Sequence, residues 1–286
     1  MIQTLQQVST IAEMRAIVAE AKRQGKKVGI VPTMGYLHQG HLSLVAEAKK
    51  TCDLVVMSIF VNPLQFGPNE DFERYPRDLE RDRQLAQEGG VDVLFTPSVS
   101  EMYPQPIMTT VSVANVSAPL CGKSRPGHFD GVSTVVMKLL QIVQPDFAYF
   151  GQKDAQQVAV VTQMVQDLSV PVEIIPCPIV READGLAMSS RNVYLSAEER
   201  EQALVLSRSL QQAQTWIREK ALPARIRDGV IAMISEMPLA SIDYVEILHY
   251  PQLTPVDELE SGQTVIVALA VRFGHTRLID NVIVTV

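Results

Sequence analysis

The sequence predicts an α/β fold: a Rossmann-like, doubly wound parallel sheet followed by a smaller C-terminal α+β domain. Three observations carry this. Up to about Val180, short apolar runs without polar alternation take turns with helical periodicities, the pattern of strands buried on both faces and joined by helices. The segments rich in Gly, His, Lys and Asn fall just after those runs, where doubly wound sheets bind ligands. After Val180 the order changes to a helical pair and then strands.

The elements follow in order. Thr10 with Glu13 forms a capping box, and Ile11, Met14, Ile17, Val18 and Ala21 keep helical spacing until Gly25. Lys27–Pro32 is a short strand-type run, Leu42–Lys50 is helical, and Asp53–Val61 is a buried strand. Pro76–Gly89 is helical and Val91–Phe95 a strand. A helix from about Gly131 to Val143 leads to a strand at Phe147–Phe150. A helix over Ala155–Leu168 then leads to a strand at Val172–Ile175. Glu198–Lys220 and Ala224–Met237 are the helical pair, and Ile242–Leu248, Thr264–Arg272 and Leu278–Val284 the closing strands. The predicted division is a nucleotide-binding domain over 1–179 and a small lid domain over 180–286.

Bulk properties narrow the function. The 286 residues are 47% hydrophobic and 20% charged, globular values that allow a large core. The net charge of −7 offers no basic stripe for nucleic acid, so none is expected as a partner. No apolar run approaches the roughly 18 residues of a membrane span. No basic-then-apolar leader pattern opens the chain, so a cytoplasmic protein without membrane attachment is expected. Cys52, Cys121 and Cys177 are odd in number and widely spaced, which suits buried thiols in a reducing compartment.

The main chemical signal is His38-Gln-Gly-His41, directly after the first buried strand. Gly35 and Gly40 let backbone approach a ligand, and the next helix aims its free N–H groups at the gap, a natural phosphate site. Two histidines three apart at a helix start face one way and can stabilise charge on a phosphate under attack. A metal pair or two surface histidines are the plain alternatives. Asn62 and Gln65 follow another strand and offer neutral amides for hydroxyl and carboxylate groups, or a simple loop cap. Gly151, Gln152, Lys153 and Asp154 close a third strand, with Lys153 suited to phosphate and Asp154 to a ribose hydroxyl or a helix cap. Gln157 lies one turn on. Met188, Ser189, Ser190 and Arg191, after the Asp184-Gly185 turn, suit a mobile phosphate clamp or a solvated loop. Arg125 and His128 form a further cationic loop for a carboxylate or phosphate. Asp71, Asp78 and Asp82, around Tyr75-Pro-Arg77, are acidic enough to attract Mg²⁺, and a solvated helix start explains them equally well.

Six segments, in order, together resemble the pantothenate synthetase (pantoate–β-alanine ligase) family. They are Pro32–His41, Phe60-Val-Asn-Pro-Leu-Gln-Phe66, Tyr75-Pro-Arg77, His128-Phe-Asp-Gly-Val132, Phe150–Gln157 and Val180–Asn192. The family belongs to the nucleotidylyltransferase group, which shares H-x-G-H with class I aminoacyl-tRNA synthetases. The resemblance implies an AMP-forming ligation of pantoate with β-alanine through a pantoyl adenylate, with ATP as substrate and Mg²⁺ accompanying it. It implies that Pro32, Thr33, Met34, Gly35, Tyr36, Leu37, His38, Gln39, Gly40 and His41 line ATP. Gly151, Gln152, Lys153, Asp154, Val180, Met188, Ser189, Ser190 and Arg191 would line it too. His41, His38, Lys153, Ser189, Ser190 and Arg191 would stabilise the transition state. Gln65, Gln157, Asn62, Arg125 and His128 would serve pantoate and β-alanine, and the small domain would shield the adenylate from water. No protein-built metal site is implied, and a homodimer is. Two rival readings stand beside this: a plain nucleotidylyltransferase acting on a phosphate acceptor, and a non-catalytic nucleotide sensor.

Overall fold

The computed structural model describes residues 5–68 and 70–286. In chain order the elements are β1 (Gln6–Val8), α1 (Ile11–Arg23), β2 (Val28–Thr33), α2 (Gln39–Ala48) and β3 (Leu54–Ile59). Next come α3 (Leu79–Glu88), β4 (Val93–Phe95), α4 (Val99–Met102), α5 (Cys121–Ser124) and α6 (His128–Val143). They are followed by β5 (Phe147–Gly151), α7 (Ala155–Asp167), β6 (Glu173–Cys177), α8 (Ala197–Ala203), α9 (Val205–Arg218) and α10 (Pro223–Ser235). The chain ends with β7 (Ala240–His249), β8 (Thr264–Phe273) and β9 (Thr276–Thr285).

β1 to β6 form one parallel sheet in the order β1-β4-β3-β2-β5-β6. The chain winds outward from β2 through β3 to β4, then returns to place β5 on the other side of β2. The strand order therefore reverses between β2 and β5, and beyond their carboxyl ends lies the position at which doubly wound sheets bind ligands. Thr33 ends β2 and Gly151 ends β5, so the histidine segment and the Gly151 segment start from adjacent strands. The inner strands β2 to β5 are largely apolar because helices cover the sheet: Val31, Val55, Met57, Leu94 and Tyr149 are buried together with Leu37, Leu44 and Val45. At about 1.5–3 kcal/mol for each large side chain withdrawn from water, this layer stabilises the sheet from which the two segments start.

β7, β8 and β9 form a separate antiparallel sheet against which α9 and α10 bury Leu206, Leu210, Ile217, Ile226, Val230 and Ile234. The structure thus has the two sheets the sequence predicts. Its compact units divide the chain less simply than a single cut. One comprises 1–113, 125–152 and 160–178, and the other 114–124, 153–159 and 179–286. The short 114–124 segment joins the second unit because Gln156 gathers it: its Oε1 accepts from Cys121 N–H, and its Nε2 donates to the Val116 and Pro119 carbonyls. β1, α4 and α5 have too few residues for periodicity to show and are absent from the sequence expectation. The three cysteines are buried free thiols.

Candidate active site

Where β2 ends, the chain turns sharply before α2. Gly35 and Tyr36 both adopt left-handed backbone, φ 85° and 49°, a conformation a side-chain-bearing residue takes only when held there. His38 is the N-cap of α2. Its Nδ1 accepts from Gly40 N–H at 3.1 Å, while His38 N–H donates to His41 Nδ1 at 3.3 Å. The rings lie 4.1 Å apart between centroids. Because each Nδ1 accepts a backbone N–H, each ring carries its hydrogen on Nε2. The backbone has therefore selected the tautomer and made both Nε2 atoms donors. An oxygen developing negative charge is the partner such a pair suits.

Beyond β3 stands a second group in the same unit. Asn62 caps the short 3₁₀ turn Pro63–Gln65 and is 1% exposed. Its Nδ2 donates to Gly131 O at 3.1 Å and Gln65 Oε1 at 3.2 Å. Its Oδ1 accepts from Leu64 N–H and from Tyr103 O–H. Both hydrogens and both lone pairs are thus used within the protein, so Asn62 caps the loop and sets Gln65. Gln65 Nε2 donates to Met34 Sδ at 3.0 Å, which joins the two strand ends.

Arg125 and His128 converge on the same turn. Arg125 makes a two-armed ion pair with Glu70 (2.6 and 2.5 Å), and its Nη2 also donates to Gln65 O at 3.3 Å. His128 Nδ1 donates to Gln65 O at 2.8 Å, and its Nε2 accepts from Arg125 Nη1 at 3.0 Å. Glu70 lies in the fork of the Arg125 guanidinium, and the pair braces the turn carrying Gln65. Burial pushes Glu70 upward, but the hydrogen bond and charge of Arg125 prevail and hold its carboxyl below its ordinary 4.5.

Of the three carboxylates considered for Mg²⁺, Asp78 caps α3 by accepting from Arg81 N–H. Asp82 turns inward, its oxygens accepting from Tyr36 N–H at 2.7 Å and Leu37 N–H at 2.6 Å. The solvated-helix-start alternative fits Asp78 but not Asp82, which is 1% exposed. Among the described residues no group of three or more His, Cys, Asp or Glu can hold a metal ion.

The second unit holds the remaining predicted residues. Val180 and Met188 face each other across a hairpin closed by Asp184-Gly185: Met188 N–H donates to Val180 O, Glu182 N–H to Leu186 O, and Gly185 has φ 95°. The hairpin is braced rather than loose. Arg181 grips Asp280 with two arms (2.7 and 3.0 Å), and Arg200 ties Glu182 and Asp184 together. Asn192 Nδ2 donates to Glu182 Oε1 and Ala187 O. Ser189 then caps the 3₁₀ turn Ser190–Tyr194 through Arg191 N–H. Lys153 is tied by its carbonyl to Asn281 Nδ2, and among the described residues its ammonium has no ion-pair partner. Gln157 is half-buried in the first turn of α7, and Asp154 is exposed at the end of the 3₁₀ turn Gln152–Asp154 that precedes it. Sequence reasoning missed Glu70, Asp280 and Asn281, since nothing local marks a carboxylate or amide for a partner many residues away.

Comparison with known proteins gives a consistent answer. The model of the family described as Pantoate-beta-alanine ligase matches residues 6–283. A pantothenate synthetase of Acetivibrio thermocellus is 59% identical over 280 residues, covering 98% of this chain and 99% of its own. The crystal structure of pantothenate synthetase from Thermus thermophilus superposes with a TM-score of 0.91 at 50% identity, covering 97% of this chain and 98% of that one. The pantoate-beta-alanine ligase of Francisella tularensis, crystallised with Beta-gamma ATP and Beta-alanine, superposes at 0.81 and 36% identity, covering 98% and 97%.

Proposed function

The chain belongs to the pantoate–β-alanine ligase family and is an ATP-using enzyme that joins pantoate to β-alanine; from that premise we propose that it does so through a pantoyl adenylate, with His38 and His41 stabilising the first transition state. A carboxylate is a poor acyl donor until its oxygen becomes part of a good leaving group. An oxygen of pantoate's carboxylate attacks the α-phosphorus of ATP, the bond to the β-phosphate oxygen breaks, and pyrophosphate departs. The amine of β-alanine then attacks the acyl carbon, the carbon–oxygen bond to AMP breaks, and pantothenate and AMP form as the amine loses its proton.

The observation that carries this reading is the backbone N–H held on each histidine Nδ1, from which the Nε2–H tautomer follows. Two preset Nε2–H donors at the carboxyl end of a parallel strand suit the charge that loads onto phosphate oxygens, and they need no reorganisation as it develops. Met34, Gly35 and the start of α2 would approach ATP together with Gly151 and Gln152. Gln65, steadied by Asn62, would take pantoate's hydroxyl and carboxylate, with Gln157 as the second amide. Lys153 would meet phosphate with Ser189, Ser190 and Arg191, while Asp154, Val180 and Met188 would border the nucleotide. Arg125 and His128, which hold the Gln65 carbonyl, would serve pantoate and β-alanine beside it. Magnesium enters as Mg·ATP, since Mg²⁺ commonly keeps substrate phosphates and water as ligands. Family membership further supports a cytoplasmic homodimer.

The test is isotope exchange. Labelled pyrophosphate should enter ATP only with pantoate and Mg²⁺ present, and AMP should appear once β-alanine is added. Exchange without pantoate, or ADP as the product, would overturn the adenylate route.

A further inference from the structure

We propose that Asp82 is a positioning residue: its buried carboxylate latches the Gly35–Leu37 turn and so sets the geometry and tautomer of His38 and His41. The proposal rests on the histidine roles given above. The geometry is closed at every step. Asp82 lies in the first turns of α3, and its two oxygens take two consecutive backbone donors, Tyr36 N–H at 2.7 Å and Leu37 N–H at 2.6 Å. The bend in the backbone, with Gly35 and Tyr36 both left-handed, brings these two consecutive N–H groups onto one carboxylate. Such a concavity attracts an anion, and an internal carboxylate fills it.

Two further contacts point the same way. The Arg81 guanidinium stands 5.0 Å over the Tyr36 ring, so α3 grips this residue by ring as well as by backbone. A Cβ on Gly35 would meet Asp82 Oδ2 at 3.0 Å and Ile59 Cγ2 at 2.9 Å, so a side chain at 35 would collide with the latch. The next residue after the latched pair is His38. Its N–H supplies the hydrogen bond to His41 Nδ1, and its own ring position brings Nδ1 to Gly40 N–H. A turn that relaxes redirects the His38 N–H, and with it the constraint that leaves Nδ1 bare and Nε2 protonated. Leaving two buried N–H groups without acceptors is itself unfavourable, so the turn has reason to relax when the carboxylate is lost.

The test uses Asp82→Asn, which keeps volume and one acceptor, and Asp82→Ala, which keeps neither. Pantoate-dependent exchange is read as kcat and KM separately, beside imidazole ¹⁵N shifts, which distinguish bare from protonated ring nitrogens. The expected result is a fall in kcat of about 10²-fold for Asp82→Ala with little change in KM for pantoate, and a smaller fall for Asp82→Asn. The bare-Nδ1 signature of His38 and His41 should be lost in parallel in folded protein. Unchanged kcat per folded molecule, or an intact ¹⁵N signature in the variants, would overturn the proposal. The wild-type protein supplies a check that no unfolded variant can confuse: Tyr36 and Leu37 amides should be protected from hydrogen exchange, and exchange at open-loop rates would refute the latch. His41→Ala keeps the two claims apart. A near-normal His41→Ala removes the histidine roles themselves, whereas a crippled His41→Ala beside normal Asp82 variants overturns only the latch.

Discussion

Gly131→Ala makes a sharp test of how closely the fold holds the Gln65 turn. Gly131 is buried near the start of α6, and its backbone packs against the turn Pro63–Gln65. A Cβ there would lie 2.5 Å from the Leu64 carbonyl carbon and 2.7 Å from the Gln65 nitrogen, and closer still to the Leu64 oxygen. An ordinary contact begins near 3.4 Å, so the turn must retreat by about 0.9 Å or more. The obstacle is backbone on both sides, with no flexible side chain to swing away. Two energies compete. Alanine favours the helix by about 1 kcal/mol over glycine, while overpacking a close-packed site costs about 1–3 kcal/mol. The collision should prevail, with the thermal midpoint falling by about 2–4 °C per kcal/mol lost. The functional effect should be larger than the stability effect. The turn carries Gln65, and Gly131 O is an acceptor for Asn62, the residue that sets it. A displacement near 1 Å can cost up to about 10²-fold in rate. Pantoate-dependent pyrophosphate exchange and calorimetry, run on one preparation, read both quantities. A variant with unaltered kcat/KM for pantoate and an unchanged or raised midpoint would refute the reasoning, since the turn would then yield freely.

Three further outcomes are expected. His41→Ala should lower pantoate-dependent exchange by about 10²-fold or more while leaving the thermal midpoint near that of the wild type; a rate within a few-fold of normal would remove His41 from the mechanism. Glu70 is held below its ordinary 4.5, so its pairing with Arg125 contributes stability above that value and loses it as pH falls through the lowered pKa. Glu70→Gln should therefore flatten the fall of stability between about pH 5 and pH 3 by roughly 1 kcal/mol at most, read from thermal midpoints, and identical pH profiles would contradict this. Arg181→Ala strands Asp280, which is 3% exposed, whereas Arg200→Ala breaks pairs whose members are each about a third exposed. The first should destabilise the second unit by about 2 kcal/mol or more and the second by under about 1 kcal/mol; equal effects would show that burial is not what makes the Arg181 pair matter.

Much of the molecule was legible before folding was considered. Apolar runs with no alternation marked β2, β3 and β5, because strands covered on both faces need apolar residues at every position. The Thr10–Glu13 box at the start of α1 appears in the structure with both of its reciprocal hydrogen bonds, because a cap depends on residues three apart. Membership of the ligase family was visible in six ordered segments for the same reason: each is a short run whose chemistry is local. β1 escaped notice because three residues, two of them exposed, carry no period.

Residue order alone thus settled the alternation of strands and helices, the pairing of His38 with His41 at a helix start, and the amides after β3. How the polar side chains pair with one another was decided by the folded chain. It saturates Asn62, places Glu70 in the fork of Arg125, turns Asp82 from a candidate metal ligand into an acceptor for Tyr36 and Leu37, and requires glycine at 131. The cause is separation along the chain. The Asp82 and Arg125 partners lie 45 to 55 residues away, and a hydrogen bond or close contact over that distance exists only once the sheet has brought its ends together.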